Sequence, residues 1–530
     1  MAICVLLALA AYWLNLTSLQ QHHNADSLVP ALMSIDYLTP FYWGQERVGA
    51  FSSVLVASID DPLRVVLVRS WISIFCGMLA LCGILAYLRV RNWGAKALVA
   101  LIALLLILSP PRVFSFFVGQ YLYGESLALG AGALLLLDQR RIRLLSARGV
   151  AGLALLLLAH WVNLAVMGAL LPIVVMRALL QGSFKRHTTP RQLTFSFAKP
   201  SLRTRLLCRL EAGSSADLSR VVVAILLAWA TNILFARIYQ SVLEGPLGIP
   251  ATDFGFLSPG RWPEALGALF AETWKDFGRQ RLVVALSAAV VLGVVSWLWR
   301  GSRELMSEAG RAAGVLLASA FAYTCLVAAN AHVALNAFNS RYMTLPLALA
   351  ILGASCFASP LVEHGLGVIA TRLPLELRRY RAGPASVVVL IGAIGALYGW
   401  PQTNVLSEHL ERNWGALTRE ARAVQCTHLL GSYWTVWPSI FLSRVMDQKT
   451  GKHRPLWGLT HRGKATEHQW RLRFPDSALR ICVPHDTSTR DRRFFRAHFK
   501  LPPLFRASRY KRIDLFLPTV HQQNSGKPRR

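Results

Sequence analysis

Long runs of apolar residues dominate the hydrophobic pattern of this chain. A helix needs about 20 mainly apolar residues to cross the roughly 30 Å hydrocarbon core of a bilayer. We identify eleven candidate spans: 2–17, 66–88, 97–111, 121–137, 149–162, 164–180, 221–238, 283–299, 312–330, 342–360 and 384–400. The pattern therefore predicts an all-α polytopic membrane protein with about 11 transmembrane helices.

Polar breaks set two of these boundaries. The segment 149–180 is divided at His160-Trp161-Val162-Asn163, and the segment 97–137 is divided at Ser109-Pro110-Pro111-Arg112. The first span begins at Met1 with no preceding basic residue. A signal peptide is the alternative there, with Ala8-Leu9-Ala10 as its exit, but secretory signals normally carry a positive start. We therefore predict a retained helix.

Basic residues give this layout an orientation. With eleven spans, the loops 89–96, 138–148, 177–220, 300–311 and 361–383 share one side and carry most of the loop Lys and Arg. The positive-inside rule assigns that side to the cytoplasm. The long loops 18–64 and 239–282 and the tail after residue 400 are then outside. Arg greatly outnumbers Lys, as is typical of GC-rich bacterial genomes, so the pattern favours a multi-pass protein of a bacterial inner membrane with a periplasmic tail.

The tail has a different pattern from the rest of the chain. Short runs at 469–474, 479–483 and 513–517 predict strands between turns. We predict three regions: a transmembrane domain over 1–400, a small mixed α/β soluble domain over 401–520, and a disordered end over 521–530.

Composition supports the membrane interpretation. The chain has 530 residues, of which 54% are hydrophobic and only 16% are charged, with a formal net charge of +30. A soluble nucleic-acid-binding protein with that charge would have far more polar surface, so no nucleic-acid partner is predicted. Half of the excess charge lies in the tail, where topology does not explain it. A phosphate-rich or acidic envelope partner is expected there, in addition to the lipid bilayer.

Two cysteines, Cys426 and Cys482, fall in the predicted outer tail. Disulfides form and persist in oxidising compartments. The alternatives are one disulfide between them or two separately buried thiols.

The outer loop 239–282 contains an amphipathic pattern. Apolar residues recur at helical spacing from residue 262, and charged residues lie between them. These apolar residues are Trp262, Leu266, Leu269, Phe270, Trp274 and Phe277. The pattern predicts a helix lying on the membrane surface, and a helix packed against the tail domain fits equally well.

Candidate chemistry concentrates at the predicted outer face. The chain has no glycine-rich phosphate loop and no His-Glu-x-x-His motif. The first outer loop carries Asp26 and Asp36, either of which can act as a general base or hold a divalent cation such as Mg²⁺ or Mn²⁺ against a phosphate. Trp43 is one of several aromatic residues nearby that suit sugar stacking.

Basic and polar residues of the same face can bind a phosphate. Arg47 follows Trp43 in the first loop. A short later loop contains His332, Asn336, Asn339, Arg341 and Tyr342. Arg341 can bind a phosphate with two parallel hydrogen bonds. Glu125 lies just before the fourth predicted span and near the same face.

The layout resembles the GT-C superfamily of polytopic glycosyltransferases, which use polyprenyl-phosphate-linked sugars. An N-terminal span is followed by a long outer loop with an early acidic residue, many further spans and an outer tail. The nearest match to the family's catalytic Asp is Asp26, with Asp36 second, although Ser27 stands where many members have a second acid. Ser340-Arg341-Tyr342 is similar to an Arg-Tyr at the start of a late span, and Gly124-Glu125-Ser126 to an acidic position between the third and fourth spans.

This resemblance implies transfer of a sugar from a polyprenyl-phosphate donor to an envelope glycan, lipid or protein acceptor. Asp26 would be the base or the group that orients the acceptor, and Arg341 would bind the donor phosphate. No cofactor is certain. The first alternative is a non-enzymatic transporter or flippase of a lipid-linked glycan. The second is a scaffold whose basic tail binds an anionic envelope polymer.

Overall fold

The computed structural model describes fourteen parts of the chain. They are residues 2–15, 23–43, 45–90, 93–138, 146–187, 215–239, 255–277, 308–372, 384–400, 402–452, 454, 456–460, 479–488 and 504–518.

Helices make up most of the described residues. In chain order they are α1 (Ala2–Leu14), α2 (Ala25–Ile35), α3 (Phe51–Leu55), α4 (Pro62–Tyr87), α5 (Trp93–Leu108), α6 (Pro111–Phe114), α7 (Tyr123–Leu137), α8 (Ala147–Val162), α9 (Val166–His187), α10 (Ser215–Tyr239), α11 (Trp262–Phe277), α12 (Glu308–Ala329), α13 (Ala331–Leu335), α14 (Thr344–Arg372), α15 (Pro384–Tyr398), α16 (Thr403–Ala423) and α17 (Tyr433–Thr450). A π-helical turn, Ser115–Gln120, and two 3₁₀ turns, Pro259–Arg261 and Ser340–Met343, join some of them.

Four described segments are long and apolar enough to cross a membrane: Pro62–Tyr87, Leu218–Tyr239, Glu308–Ala329 and Ser340–Ala358. A fifth is possible if the pair Lys96–Leu108 and Arg112–Gln120, bent by 108°, forms one span. The chain is thus a mainly helical protein compatible with a membrane location.

The prediction of about 11 spans is wrong. The apolar helices at six other places have only 10 to 17 residues. At 1.5 Å per residue, such helices are shorter than the roughly 30 Å hydrocarbon core. The sequence pattern shows only how long each apolar run is. In the structure, Asn24 and Ser146 begin helices and Asn163 ends one, so these helices are shorter than a membrane span. The predicted span 283–299 lies outside the described residues.

The break predicted in the segment 149–180 is confirmed. Helix α8 ends at Val162, and Asn163 takes an extended backbone conformation with φ −159° and ψ 117°. Its side-chain oxygen accepts a hydrogen bond from the backbone nitrogen of Ala165 at 2.9 Å. Asn163 therefore stops one helix and helps to start the next.

The chain divides into two compact units, and one of the divisions lies between residues 400 and 401. The helical unit contains residues 1–18, 70–235 and 252–400, and the mixed unit contains residues 19–69, 236–251 and 401–530. The mixed unit therefore combines the predicted first outer loop with the tail.

Close backbone approach shapes the helical unit at two glycines. A Cβ atom on Gly124 would lie 2.3 Å from the carbonyl oxygen of Ser73, and one on Gly395 would lie 2.2 Å from the backbone nitrogen of Ala10. Only glycine permits such contact between helix backbones. Gly124 thus lets α7 pack directly on α4, and Gly395 lets α15 pack on α1.

A five-stranded sheet lies in the mixed unit. The strands are β3 (His428–Leu430), β4 (Trp457–Leu459), β5 (Ile481–Pro484), β6 (Leu504–Arg509) and β7 (Ile513–Pro518), in the order β4-β3-β5-β7-β6. Strand β3 is parallel to β4 and β5, and β7 is antiparallel to β5 and β6. The strands predicted at 479–483 and 513–517 correspond to β5 and β7, and the one predicted at 469–474 lies outside the described residues.

Aromatic rings fill the core of the mixed unit. A short hairpin of β1 (Phe41–Tyr42) and β2 (Gln45–Gly49) follows α2. The ring of Trp43 lies 4.8 Å from Tyr37, 5.4 Å from Trp457 and 5.7 Å from Trp437, measured between centroids. The three tryptophans are almost fully buried. This cluster joins the N-terminal segment of the unit to its sheet and to α17.

Candidate functional site

Arg341 forms the centre of a polar cluster in the helical unit. Its Nη1 donates to the hydroxyl of Tyr121 at 3.2 Å. Its Nη2 donates to Asn336 Oδ1 at 3.1 Å and to the hydroxyl of Tyr342 at 2.9 Å. The guanidinium carbon also lies 4.9 Å from the centroid of the Tyr342 ring. These contacts fix both the position and the plane of the guanidinium.

Side-chain caps hold the segment that carries Arg341. Asn330 Oδ1 accepts from the backbone nitrogen of His332 at 2.8 Å and so starts α13. Asn339 Oδ1 accepts from the backbone nitrogen of Arg341 at 3.1 Å and so starts the 3₁₀ turn. His332 lies edge-on to Tyr342, with ring centroids 6.1 Å apart. The predicted site residues Arg341, Tyr342 and His332 are therefore brought together.

The backbone is strained on both sides of this cluster. Leu122, next to Tyr121, has φ 49°, and both Ala337 and Phe338, between Asn336 and Arg341, have φ 51°. A left-handed conformation is unfavourable for residues with a side chain, and such strain is found preferentially at functional sites. The π-helical turn Ser115–Gln120 leads directly into Tyr121, and π-helical turns are also frequent at such sites. Two separate segments thus adopt costly conformations where they meet Arg341.

The cluster is positively charged. Within the parts of the chain that the structure describes, the partners of Arg341 are two phenol hydroxyls and an amide oxygen, and none is a carboxylate. Its Nε is buried and has no hydrogen-bond partner among those described residues. A partly buried guanidinium that is held only by neutral groups favours binding of an anion.

Glu125 lies in the same unit and forms a hydrogen bond between two of its helices. Its side chain is fully buried in the first turn of α7, and its Oε2 accepts from Ser73 Oγ at 2.9 Å. The carbonyl of Ser73 is the group that Gly124 approaches. Gly124 and Glu125 together therefore connect α7 to α4, two residues after the Tyr121–Leu122 turn.

Asp36, a predicted catalytic residue, takes part in a buried ion-pair network of the mixed unit. Its Oδ1 lies 3.2 Å from Arg444 Nη2. Arg444 Nη1 lies 3.6 Å from Asp447 Oδ2, and Asp447 also pairs with Arg422. All four side chains are at least about nine-tenths buried. Asp36 is thus one of two acids paired with two arginines.

Asp26 occupies the first turn of α2 and is buried. Ser27, the residue after it, accepts a hydrogen bond at its Oγ from the backbone nitrogen of Asn24 at 3.0 Å. Its backbone carbonyl accepts from Arg69 Nη1 at 3.0 Å. The turn that carries Asp26 is therefore held at both its cap and its backbone.

Arg69 is a residue that the sequence analysis missed. Besides Ser27, its buried guanidinium donates to the hydroxyl of Tyr42 at 2.9 Å and to Ser52 Oγ at 3.1 Å. It thereby joins α2, β1 and α3. A single Arg within the apolar run 66–88 was the available signal, because an ionisable residue in such a run usually has a functional or pairing role.

Two predicted site residues, Trp43 and Arg47, belong to the hairpin segment of the mixed unit. Trp43 is 2% exposed and belongs to the aromatic core of the mixed unit, so its ring faces other aromatic rings. The backbone of Arg47 lies in β2, and its side chain is outside the described residues. Tyr121 is the contact of Arg341 that the sequence did not predict, although it lies three positions before Gly124 of the Gly124-Glu125 motif.

Cys426 and Cys482 form a disulfide. Cys482 lies in β5, and Cys426 lies two residues before β3, the strand parallel to it. The bond therefore links the segment before β3 to β5, beside the parallel pairing of these two strands. Over the described ranges, no group of three or more His, Cys, Asp or Glu side chains is arranged to hold a metal ion.

Comparison of this chain with protein-family models and with curated proteins found no match.

Proposed function

We propose that this chain is a membrane glycosyltransferase that transfers a sugar from a polyprenyl-phosphate donor to an acceptor at the outer face of a bacterial inner membrane. The observation that carries the proposal is the Arg341 cluster. Among the described residues, the guanidinium is held by the neutral groups of Tyr121, Tyr342 and Asn336, at the start of the candidate span Ser340–Ala358. Its charge and its place at a helix end suit the phosphate of a lipid.

The resemblance in the sequence supplies the reaction class. The oxygen of an acceptor hydroxyl attacks the anomeric carbon, the bond from that carbon to the phosphate oxygen breaks, and polyprenyl phosphate leaves. Arg341 stabilises the negative charge that accumulates on the leaving phosphate. The proton of the acceptor hydroxyl passes to a carboxylate that acts as general base.

Asp26 is our candidate for that base. Of the two acids predicted from the sequence, Asp36 is held in the buried ion-pair network with Arg444 and Asp447. Asp26 lies in a turn that the Asn24–Ser27 cap and the Arg69 hydrogen bond hold in place. Such support is what a positioned catalytic group requires.

Binding of the donor phosphate is tested first. The purified chain in lipid nanodiscs is titrated with a synthetic polyprenyl monophosphate. Charge-assisted hydrogen bonds contribute about 1.5–3 kcal/mol each, so Arg341→Gln should weaken binding at least tenfold. Arg341→Lys, which keeps the charge but loses the fork geometry, should have a smaller effect. Arg311→Gln, at an exposed position in α12, is the matched control. Equal affinity in the Arg341→Gln and Arg311→Gln variants would remove Arg341 from the proposal.

Transfer is tested separately from binding. Membranes containing the chain are supplied with a panel of radiolabelled polyprenyl-phosphate sugars, and incorporation into envelope material is measured. Asp26→Asn should abolish transfer and leave phosphate binding unchanged. Movement of the lipid-linked sugar across vesicles without any transfer to an acceptor would instead support the flippase alternative.

A further inference from the structure

Helix α11 buries one side against the helical unit and leaves another side exposed. Ala265, Leu269 and Thr273 are buried, and the hydroxyl of Thr273 donates to the carbonyl of Leu269 at 2.6 Å. This side packs on α12 and on the 3₁₀ turn that contains Arg341. The helix therefore packs directly beside the Arg341 cluster.

Two backbone hydrogen bonds place the start of α11 at the C-terminal end of α12. The backbone nitrogen of Leu257 donates to the carbonyl of Ala329, and that of Ala331 donates to the carbonyl of Gly255, both at 2.8 Å. Residues 255–257 lead into α11, and Ala329 is the last residue of the candidate span Glu308–Ala329. The next candidate span starts at Ser340. Helix α11 therefore begins where one candidate span ends, close to where another starts.

The exposed side of α11 is aromatic. Trp262, Phe270 and Trp274 are 44%, 51% and 62% exposed. Leu266 lies between them, and the spacing of four residues places all four along one flank of the helix. Glu264 and Lys275 project from the other flank, since at 100° per residue they lie about 80° and about 100° around the helix from Trp274, and each lies about 120° or more from Phe270. The helix thus has a protein-facing side, an apolar side and a charged side.

We propose that α11 lies in the plane of the membrane–water interface, with Phe270 and Trp274 inserted among the lipids and the charged flank facing water. Trp is enriched at this level of the bilayer because its ring is apolar while its N–H is polar. An in-plane helix buries its apolar side in the boundary between headgroups and acyl chains. The ends of two candidate spans mark that boundary, so the bilayer is the partner for which both the side chains and the position are suited.

One consequence concerns the Arg341 cluster and rests on the proposed function. Because α11 contacts the turn that carries Arg341, the guanidinium lies near the level of lipid phosphates. A donor with a lipid tail would then reach it sideways from the leaflet and would not have to cross the water phase. The position of α11 itself does not depend on any transfer reaction.

The test places a photo-crosslinking amino acid at single positions of α11 in the full chain, reconstituted in nanodiscs with a radiolabelled phosphatidylglycerol. Probes at Phe270 and Trp274 should form lipid adducts, and a probe at Lys275 should form far fewer. Position 275 is the matched control because it neighbours Trp274 on the water-facing flank. Equal lipid labelling at 274 and 275 would overturn the proposal.

A second outcome would also overturn it. Protein–protein adducts at 270 and 274 in place of lipid adducts would show that another polypeptide covers the aromatic flank. The readout needs neither a sugar donor nor an acceptor. Failure of the lipid position and failure of the glycosyltransferase proposal are therefore separate results.

Discussion

Asp36 and Arg444, which are 408 positions apart in sequence, form a buried ion pair with 3.2 Å between Oδ1 and Nη2. The pair joins the end of α2 to α17 within the mixed unit. A buried ion pair contributes little net stability compared with an apolar pair, but removing one partner leaves an uncompensated charge in the interior. The contact is therefore a requirement of the folded unit.

Replacement of Asp36 by Ala should destabilise the mixed unit by about 3–5 kcal/mol, because the Arg444 guanidinium loses a buried counter-charge. The measurement is the thermal unfolding midpoint of the purified chain. Arg64→Ala is the control, since Arg64 pairs with Asp61 at 3.4 Å but is 72% exposed, and exposed pairs contribute at most about 1 kcal/mol. Loss of transfer activity in Asp36→Asn without any loss of stability would instead show that Asp36 is catalytic.

The same pair shows what a sequence can and cannot predict. The apolar runs identify most helices, Asn163 marks a helix break, and the runs at 479–483 and 513–517 identify strands, because each of these signals is local. The association of α2 with α17 depends on a contact between distant segments, and local periodicity does not encode it. The predicted number of spans was wrong for a related reason, because an apolar run does not show where a cap or a bend ends the helix.

The candidate site likewise contains some contacts that the sequence predicts and others that it does not. Arg341, Tyr342 and His332 are close in sequence, so they could be grouped before the structure was known. Tyr121 joins them through a contact over 220 positions. Arg69 lies within the apolar run 66–88, which gives no sign that its guanidinium binds the carbonyl of Ser27 in the turn that carries Asp26.

Replacement of Gly124 by Ala should destabilise the helical unit by about 1–3 kcal/mol, the usual cost of overpacking. The new methyl group would lie 2.3 Å from the Ser73 carbonyl oxygen and 2.9 Å from the backbone nitrogen of Gly77. Because both are backbone atoms, α4 and α7 must separate, which also stretches the Ser73–Glu125 hydrogen bond. Thermal unfolding of the variant in detergent measures the effect.

The control for this prediction is Gly267→Ala. Gly267 lies in α11, and a Cβ atom there has no neighbour within 4 Å. Since Ala is favoured over Gly in a helix by up to about 1 kcal/mol, this variant should be at least as stable as the original chain. Similar losses in both variants would mean that the α4–α7 contact is not the cause.

His428 should make stability depend on pH. Burial lowers the pKa of its imidazole from 6.5 to about 3, so the folded protein keeps the ring neutral. In the unfolded chain the ring takes up a proton below about pH 6.5, and that proton uptake favours unfolding. The stabilisation is complete above pH 6.5 and decreases by up to about 1.4 kcal/mol per pH unit as the pH falls toward 3.

Unfolding midpoints of the full chain between pH 7 and pH 5 test this dependence. A His428→Gln variant has no imidazole to protonate, so its midpoint should fall less steeply over the same range. Parallel curves for the two proteins would assign the pH dependence to other groups.

Loss of the Cys426–Cys482 disulfide should lower the stability of the mixed unit substantially. The two residues are 56 positions apart, and the chain-entropy model gives about 4 kcal/mol for a loop of that length. The original chain should therefore unfold at a lower temperature after treatment with dithiothreitol. A variant with both Cys426→Ala and Cys482→Ala should unfold at that lower temperature with or without the reductant, because the other cysteines in the described part of the chain form no disulfide. An unchanged midpoint in the reduced original chain, with loss of the disulfide verified by thiol labelling, would show that the sheet and the aromatic core hold the unit without the covalent bond.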